Sequence, residues 1–298
     1  MKISIELHCV LSRKGRSALK IEELRNDMQH FKTYLVLSEL SERTVNKYMH
    51  DINSLLAFLE LDRKLPELSK EGLIEYKKQV LEGYNVTSAN TYFVAINRYL
   101  GWLGLAELKL KSERVQNNWS IDKVISKGEY EQLCKYALEN HLKKYYYIMR
   151  VLACTGIRIG ELKYITKESI QNGMATVCHK SKHRDIFISD ELIFLLSGYC
   201  TELEIKQGFI FFGRNMERPL CESCVWKMLK QIAKHAGIDS NKVYPHSFRH
   251  LFAKTYMTEV GNIAELADIL GHSSIETTRL YTLTSKTEKR RNIAKLGL

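Results

Sequence analysis

The chain has 298 residues, 45% of them hydrophobic and 27% charged, with a formal net charge of +11. That composition is ordinary for a soluble globular protein with length for two cores, and no apolar run approaches the roughly 18 residues of a membrane span. The opening stretch MKISIELHCVLSRKGRSALK has neither a continuous apolar centre nor a small-residue cleavage site, so no secretory leader is expected. Seven scattered cysteines point to reduced thiols in a cytoplasm rather than a disulfide framework.

In chain order, the first segment reads as helices throughout. IEELRNDMQHFKTYLVL carries one apolar face. From Ser41, a plausible N-cap, Val45, Tyr48, Ile52, Leu55, Leu56 and Leu59 follow helical spacing. SKEGLIEYKKQVLEG and TSANTYFVAINRYLGWLG are each opened by Ser or Thr and closed by Gly, which completes a four-helix bundle. KLKSERVQNNWS then loses periodicity and becomes polar, as a linker does. A second domain starts near Ser126, which has capping-box spacing to Glu129. Its helices GEYEQLCKYALEN, YYYIMRVLACTG and RIGELKYIT precede two β-type runs, MATVC and DIFIS, separated by the polar HKSKHR. The remainder reads as helical. Cys221 and Cys224 have metal-like spacing, but no second close pair exists, and the stretch reads as the start of a helix rather than a zinc site. There is no glycine-rich phosphate loop to support nucleotide hydrolysis.

The positive charge points to a polyanion, and its distribution is uneven. Residues 1–118 hold 18 Lys/Arg and 15 Asp/Glu, whereas the rest hold 27 and 19. Within that basic part, four short stretches place reactive side chains at turns or element ends. ACTGIRIGEL sets Arg158 after a glycine break, with Glu161 one turn on. The hairpin tip carries Lys180 and Lys182. YPHSFRHLFA puts His246 and Arg249 on one helical face behind Pro245, and LGHSSIETTRLYT holds His272 and Tyr281. Each has an ordinary reading taken singly: a surface arginine, a capped helix, solvated lysines, and a tyrosine closing the apolar face of Ile275 and Thr278. Together they fit one reaction. Two guanidinium forks match the nonbridging oxygens of a phosphodiester, and histidine donors steady its crowded transition state. A lysine can protonate the departing alkoxide, and a phenol can be the covalent nucleophile. No carboxylate cluster is present to hold magnesium, so neither a metal nor another cofactor is expected.

The motifs TGIRIGEL, PHSFRHLFA and LGHSSIETTRLY, in that order, resemble the boxes of the tyrosine recombinase (phage integrase) family, and in size the chain resembles its Xer-like members. The resemblance implies a mostly α (α+β) fold. An N-terminal extension (1–20) would precede a helical core-binding domain (21–111), a linker (112–122) and a mainly helical catalytic domain with a small antiparallel hairpin (123–298). It implies that Arg158, His246, Arg249 and His272 grip the scissile phosphate while Tyr281 attacks it, leaving a 3′-phosphotyrosyl link without metal or ATP. Glu161 would support the site from behind, and His250 would be structural. The hairpin is about one residue shorter than the family's, so the general acid is Lys180 with the gap placed in the turn, or else Lys182. The implied partner is double-stranded DNA with inverted half-sites, bound by a dimer on each site and a tetramer at synapsis, with accessory proteins possible. The basic tail after Tyr281 would dock on a neighbouring protomer. The rivals are a DNA-binding regulator that does not cut and a type IB topoisomerase.

Overall fold

A computed structural model describes residues 20–61, 67–114, 124–179, 182–213, 217–272 and 274–279, and Ala294. The chain forms two compact units, Met1–Asn118 and Trp119–Leu298.

The first unit is a helical bundle: α1 (Ile21–Asn26), α2 (Met28–Leu37), α3 (Glu42–Leu61), α4 (Lys70–Gly83) and α5 (Val86–Trp102). The sequence reads α1 and α2 as one helix. The structure breaks it at Asp27, yet the buried face runs on through Leu24, Met28, Phe31 and Leu35. Phe31 packs edge-on against Tyr99, with ring centroids 4.9 Å apart, and lies 5.3 Å from Trp102. The Tyr99 hydroxyl donates to the Leu24 carbonyl at 3.0 Å, which ties α5 to α1. The polar stretch read as a linker is not free at its start. Asn97 and Asn90, seven residues apart on α5, each exchange two hydrogen bonds with a passing backbone, at Leu110 (2.7 and 2.8 Å) and Glu113 (both 2.9 Å). Side-chain amides here replace the partners that an irregular strand lacks.

The second unit opens with α6 (Lys127–Glu139), whose N-terminus carries the reciprocal Ser126–Glu129 capping box, and α7 (Lys143–Thr155). A 3₁₀ turn (Ile159–Tyr164) and the short α8 (Lys167–Gln171) lead into an antiparallel pair, β1 (Met174–His179) and β2 (Lys182–Phe187). Both strands extend into the polar separator of the sequence reading. The pair has one open face, on which the Thr176 hydroxyl donates to the Asp185 carboxylate at 2.8 Å, so polar residues continue the ladder. The chain then forms α9 (Asp190–Glu202), α10 (Glu222–His235), α11 (Pro245–Glu259), α12 (Ile263–Leu270) and α13 (Ile275–Arg279). Helix α11 starts on Pro245 at its first position and packs along α7. Helix α12 packs against β2 and α11. That arrangement brings the end of α7, strand β2, and the loop after α12 to one place.

The expectation of reduced thiols fails at Cys221 and Cys224, which form a disulfide with Cα atoms 5.4 Å apart. Cys221 is the N-cap of α10 and its sulfur accepts the Cys224 backbone N–H at 3.3 Å, so the spacing alone sets both sulfurs on one side of the first turn. Cys134, Cys154 and Cys200 are free. Among the described residues no helix is long and apolar enough to cross a membrane.

Candidate active site

The site is built from two glycine turns. Gly156 ends α7 in the left-handed region (φ 63°), where a Cβ would meet the Phe252 ring at 2.4 Å. The chain there turns sharply into Arg158, at the head of the 3₁₀ turn. Glu161 folds back on it: one carboxylate oxygen accepts the Arg158 backbone N–H at 2.8 Å, and the other accepts its guanidinium at 3.0 Å. The Arg158 fork also reaches the Gly271 carbonyl at 3.3 Å. Burial by itself would raise the Glu161 pKa. The Arg158 amide and the guanidiniums of Arg184 and Arg158 outweigh it and hold the carboxyl below its ordinary value. Glu161 therefore stays ionised.

Gly271 ends α12 with φ 62°, and the loop that follows carries His272. Arg249, on the inner face of α11, is fully buried. A buried guanidinium is costly unless its donors are used. This one donates to the Gly156 carbonyl at 2.7 Å, the Leu270 carbonyl at 2.6 Å and His272 Nε2 at 2.9 Å. It thereby joins the ends of α7 and α12, the two turns that present Arg158 and His272. Because arginine only donates, His272 Nε2 accepts, and the ring proton lies on Nδ1, which donates to Thr278 Oγ1 at 2.8 Å. Burial, then Arg249, Arg158, His246 and Arg184, push the His272 pKa down to about 4. The ring is neutral at pH 7.

His246 stands on the first turn of α11, with its ring 4.6 Å from that of His250 and nearly perpendicular to it. Desolvation, then Arg249 and Arg158, lower its pKa. His250 is buried and pushed down to about 3 by burial, His246, Arg249 and His272. The cluster thus sets three arginines against one carboxylate, with neutral histidines between them. It is arranged to receive an anion whose charge exceeds one nearby counterion.

Arg158, Glu161, Arg249 and His272 share one hydrogen-bonded network, and His246 lies within its field. Lys180 and Tyr281 lie outside the described residues, as do residues 1–19 and, apart from Ala294, the tail. Lys182 begins β2, its backbone opposite His179. Sequence reasoning missed Arg184. It reaches from β2 to the Glu161 carboxylate and to the Ile269 carbonyl, and its stem packs against Gly271. A period-two count could have found it, because Arg184 shares its parity with the buried Ile186 and Ile188. The apolar face read through Ile275 and Thr278 is corrected: Ile275 is 51% exposed, whereas Thr278 is fully buried beneath His272. A helix of five residues has no apolar face to build. The position is fixed by the hydrogen bond.

Residues 123–288 match the phage integrase family. Tyrosine recombinase XerA of Pyrococcus furiosus is 30% identical over 275 residues, covering 89% of this chain and 92% of the relative. Among solved structures, the Tn1549 transposon integrase in complex with transposon right end DNA aligns with TM-score 0.71 at 15% identity, over 94% of this chain and all of that one. A lambda integrase dimer bound to a COC′ core site aligns with TM-score 0.70 at 17% identity, over 89% and 95% of the two chains. The motif-bearing turns and the family match cover the same unit, and the chain belongs to the phage integrase family of tyrosine recombinases.

Proposed function

We propose that this chain cuts and rejoins duplex DNA through a covalent 3′-phosphotyrosyl link on Tyr281, with no metal and no ATP. Site-specific strand cleavage and religation is the work of a tyrosine recombinase, and the observation that supports this form of it is the network around Arg249. One buried guanidinium ties together the turns bearing Arg158 and His272. Arg158, with its side chain 44% exposed, is the fork that DNA meets first. Arg249 joins it when an incoming phosphate oxygen replaces one of its internal acceptors. His246 adds a donor as charge builds on the phosphorane, and His272, in the tautomer shown, holds the Arg249 fork; it becomes a donor to the phosphate only once its proton moves to Nε2.

In the forward step the Tyr281 oxygen forms a bond to phosphorus and gives up its proton to solvent water. The P–O5′ bond breaks, and Lys180 (or Lys182) gives a proton to the departing 5′-oxygen. Rejoining is the same step reversed, with a 5′-hydroxyl as nucleophile, so the energy of the linkage is kept in the phosphotyrosine. We place the work in the cytoplasm, on inverted half-sites, with a dimer on each site and a tetramer exchanging strands.

The test begins with sequencing the junctions formed in genomic DNA, which gives the site. A nicked duplex of that sequence then traps any covalent complex on a denaturing gel. Wild type is expected to form the complex in EDTA, and Tyr281→Phe to bind the duplex equally well and form none. A covalent band that survives the substitution, or a strict need for magnesium, overturns this reading.

A further inference from the structure

Arg184 is largely withdrawn from solvent where the fold would be served by an apolar residue. It lies on the inward parity of β2 with Ile186 and Ile188, and its side chain is only 12% exposed. Burying a cation there costs desolvation that an isoleucine would not incur. Neutralising Glu161 does not require it, because Glu161 already has a cationic partner in Arg158. What Arg184 changes is the balance of charge. Glu161 gives one oxygen to the Arg158 fork. The other is shared between the Arg158 backbone N–H and the Arg184 fork. With Arg184 present, the three side chains carry a surplus of one positive charge. Without it, Arg158 and Glu161 neutralise each other, and the exposed fork is held back by its own carboxylate.

The second hand of the same fork grips the Ile269 carbonyl, and the stem fills the space that a side chain at Gly271 would need. A Cβ on Gly271 would come within 2.5 Å of Arg184 Cδ. The strand that begins with Lys182 is thereby joined both to the Arg158 turn and to the loop that carries His272.

We propose that Arg184 is a positioning residue for strand cleavage: it takes up part of the Glu161 charge, leaving Arg158 a cationic surplus for the scissile phosphate, and holds the His272 loop against β2. The proposal rests on the recombinase reading above and adds to it a residue that the motifs do not include. It predicts that charge, rather than the hydrogen bonds alone, is what the position supplies.

The experiment compares wild type, Arg184→Lys, Arg184→Gln, Glu161→Gln and the double variant Glu161→Gln/Arg184→Gln. Each is assayed by single-turnover cleavage at saturating nicked duplex and by half-site binding. Arg184→Gln should lose roughly tenfold or more in cleavage rate, the scale of a coupling between contacting charges, with half-site binding unchanged. Arg184→Lys should stay within a few-fold of wild type. The double variant should recover much of the loss, since removing both charges restores the surplus at Arg158. If Arg184→Gln does not fold, the lysine and double variants decide the matter by themselves. A lysine variant, or a double variant, that cleaves roughly tenfold or more slower than wild type overturns the charge argument. A wild type that cleaves nothing instead overturns the recombinase reading beneath it.

Discussion

The two units of this chain use their interiors in opposite ways. In the first, the buried side chains are almost all apolar or aromatic, and Asp51, paired with Lys47, is the polar exception among its described residues. The second buries Glu161, Arg249, His250 and Thr278 close to one another; Glu161 and Arg249 are held by hydrogen bonds between turns far apart in sequence, and Thr278 by one to His272. Apolar burial is non-directional and tolerates change of shape, whereas a buried ionic network is costly and geometrically exacting. The first unit is therefore built to persist, and the second gives up stability to hold a charged surface in one arrangement.

The largest effect expected from breaking that contrast is at Arg249. Arg249→Met strips the Gly156 and Leu270 carbonyls of their donor, which costs about 2–6 kcal/mol at about 1–3 kcal/mol for each abandoned acceptor. It also frees the His272 loop, and cleavage should fall by on the order of 100- to 1,000-fold. Denaturant unfolding and the nicked-duplex assay read the two effects. A variant as stable and active as wild type would remove the distinction between the units.

Phe31→Ala is the matching test in the first unit. Removing a fully buried ring packed on Tyr99 and Trp102 should cost about 3–5 kcal/mol of stability. The single-turnover cleavage rate at saturating DNA should be unchanged wherever the variant is folded. A slowed chemical step in a folded Phe31→Ala protein would show that the apolar unit also tunes the site.

Acidification gives a smaller and graded effect confined to the second unit. His250 and His272 have folded pKa values of about 3 and about 4 against an ordinary 6.5, so the unfolded chain binds their protons first. Their contribution is present above the unfolded value and is lost as pH falls toward the folded ones. Between roughly pH 6 and pH 5, these two histidines should lower stability by at most about 2.7 kcal/mol per pH unit, about 1.36 kcal/mol for each proton, and His246, whose pKa is also lowered, adds to that slope. Urea unfolding against pH measures it. A slope reduced to the His246 share in a His250→Asn/His272→Asn double variant would confirm the source, and an unaltered slope would contradict it.

Much of this was legible in the sequence, for physical reasons that also explain the gaps. The apolar faces of α3, α4 and α5 repeat every helical turn, so periodicity places them. Glycine at positive φ marks the turns before Arg158 and His272, and Pro245 marks the start of the helix bearing His246 and Arg249. What residue type disguises is a charged side chain used inward, even where parity places it there. Arg184 sits in a polar run that looks solvated, and Thr278 looks like a weak apolar residue until His272 is seen to need an acceptor. The break at Asp27 was hidden because the buried face continues through it. The disulfide at Cys221 and Cys224 depends on a helix start that composition alone does not weigh.

The central claim is that the buried polar network of the second unit exists to set a DNA phosphate before the Tyr281 phenol. Mass spectrometry of the trapped protein–DNA complex, digested with protease and nuclease, tests it most directly. The account predicts one modified peptide, containing Tyr281 with a nucleotide on its phenolic oxygen through a 3′-phosphate. A nucleotide on any other residue, or a 5′-phosphate link, would contradict it.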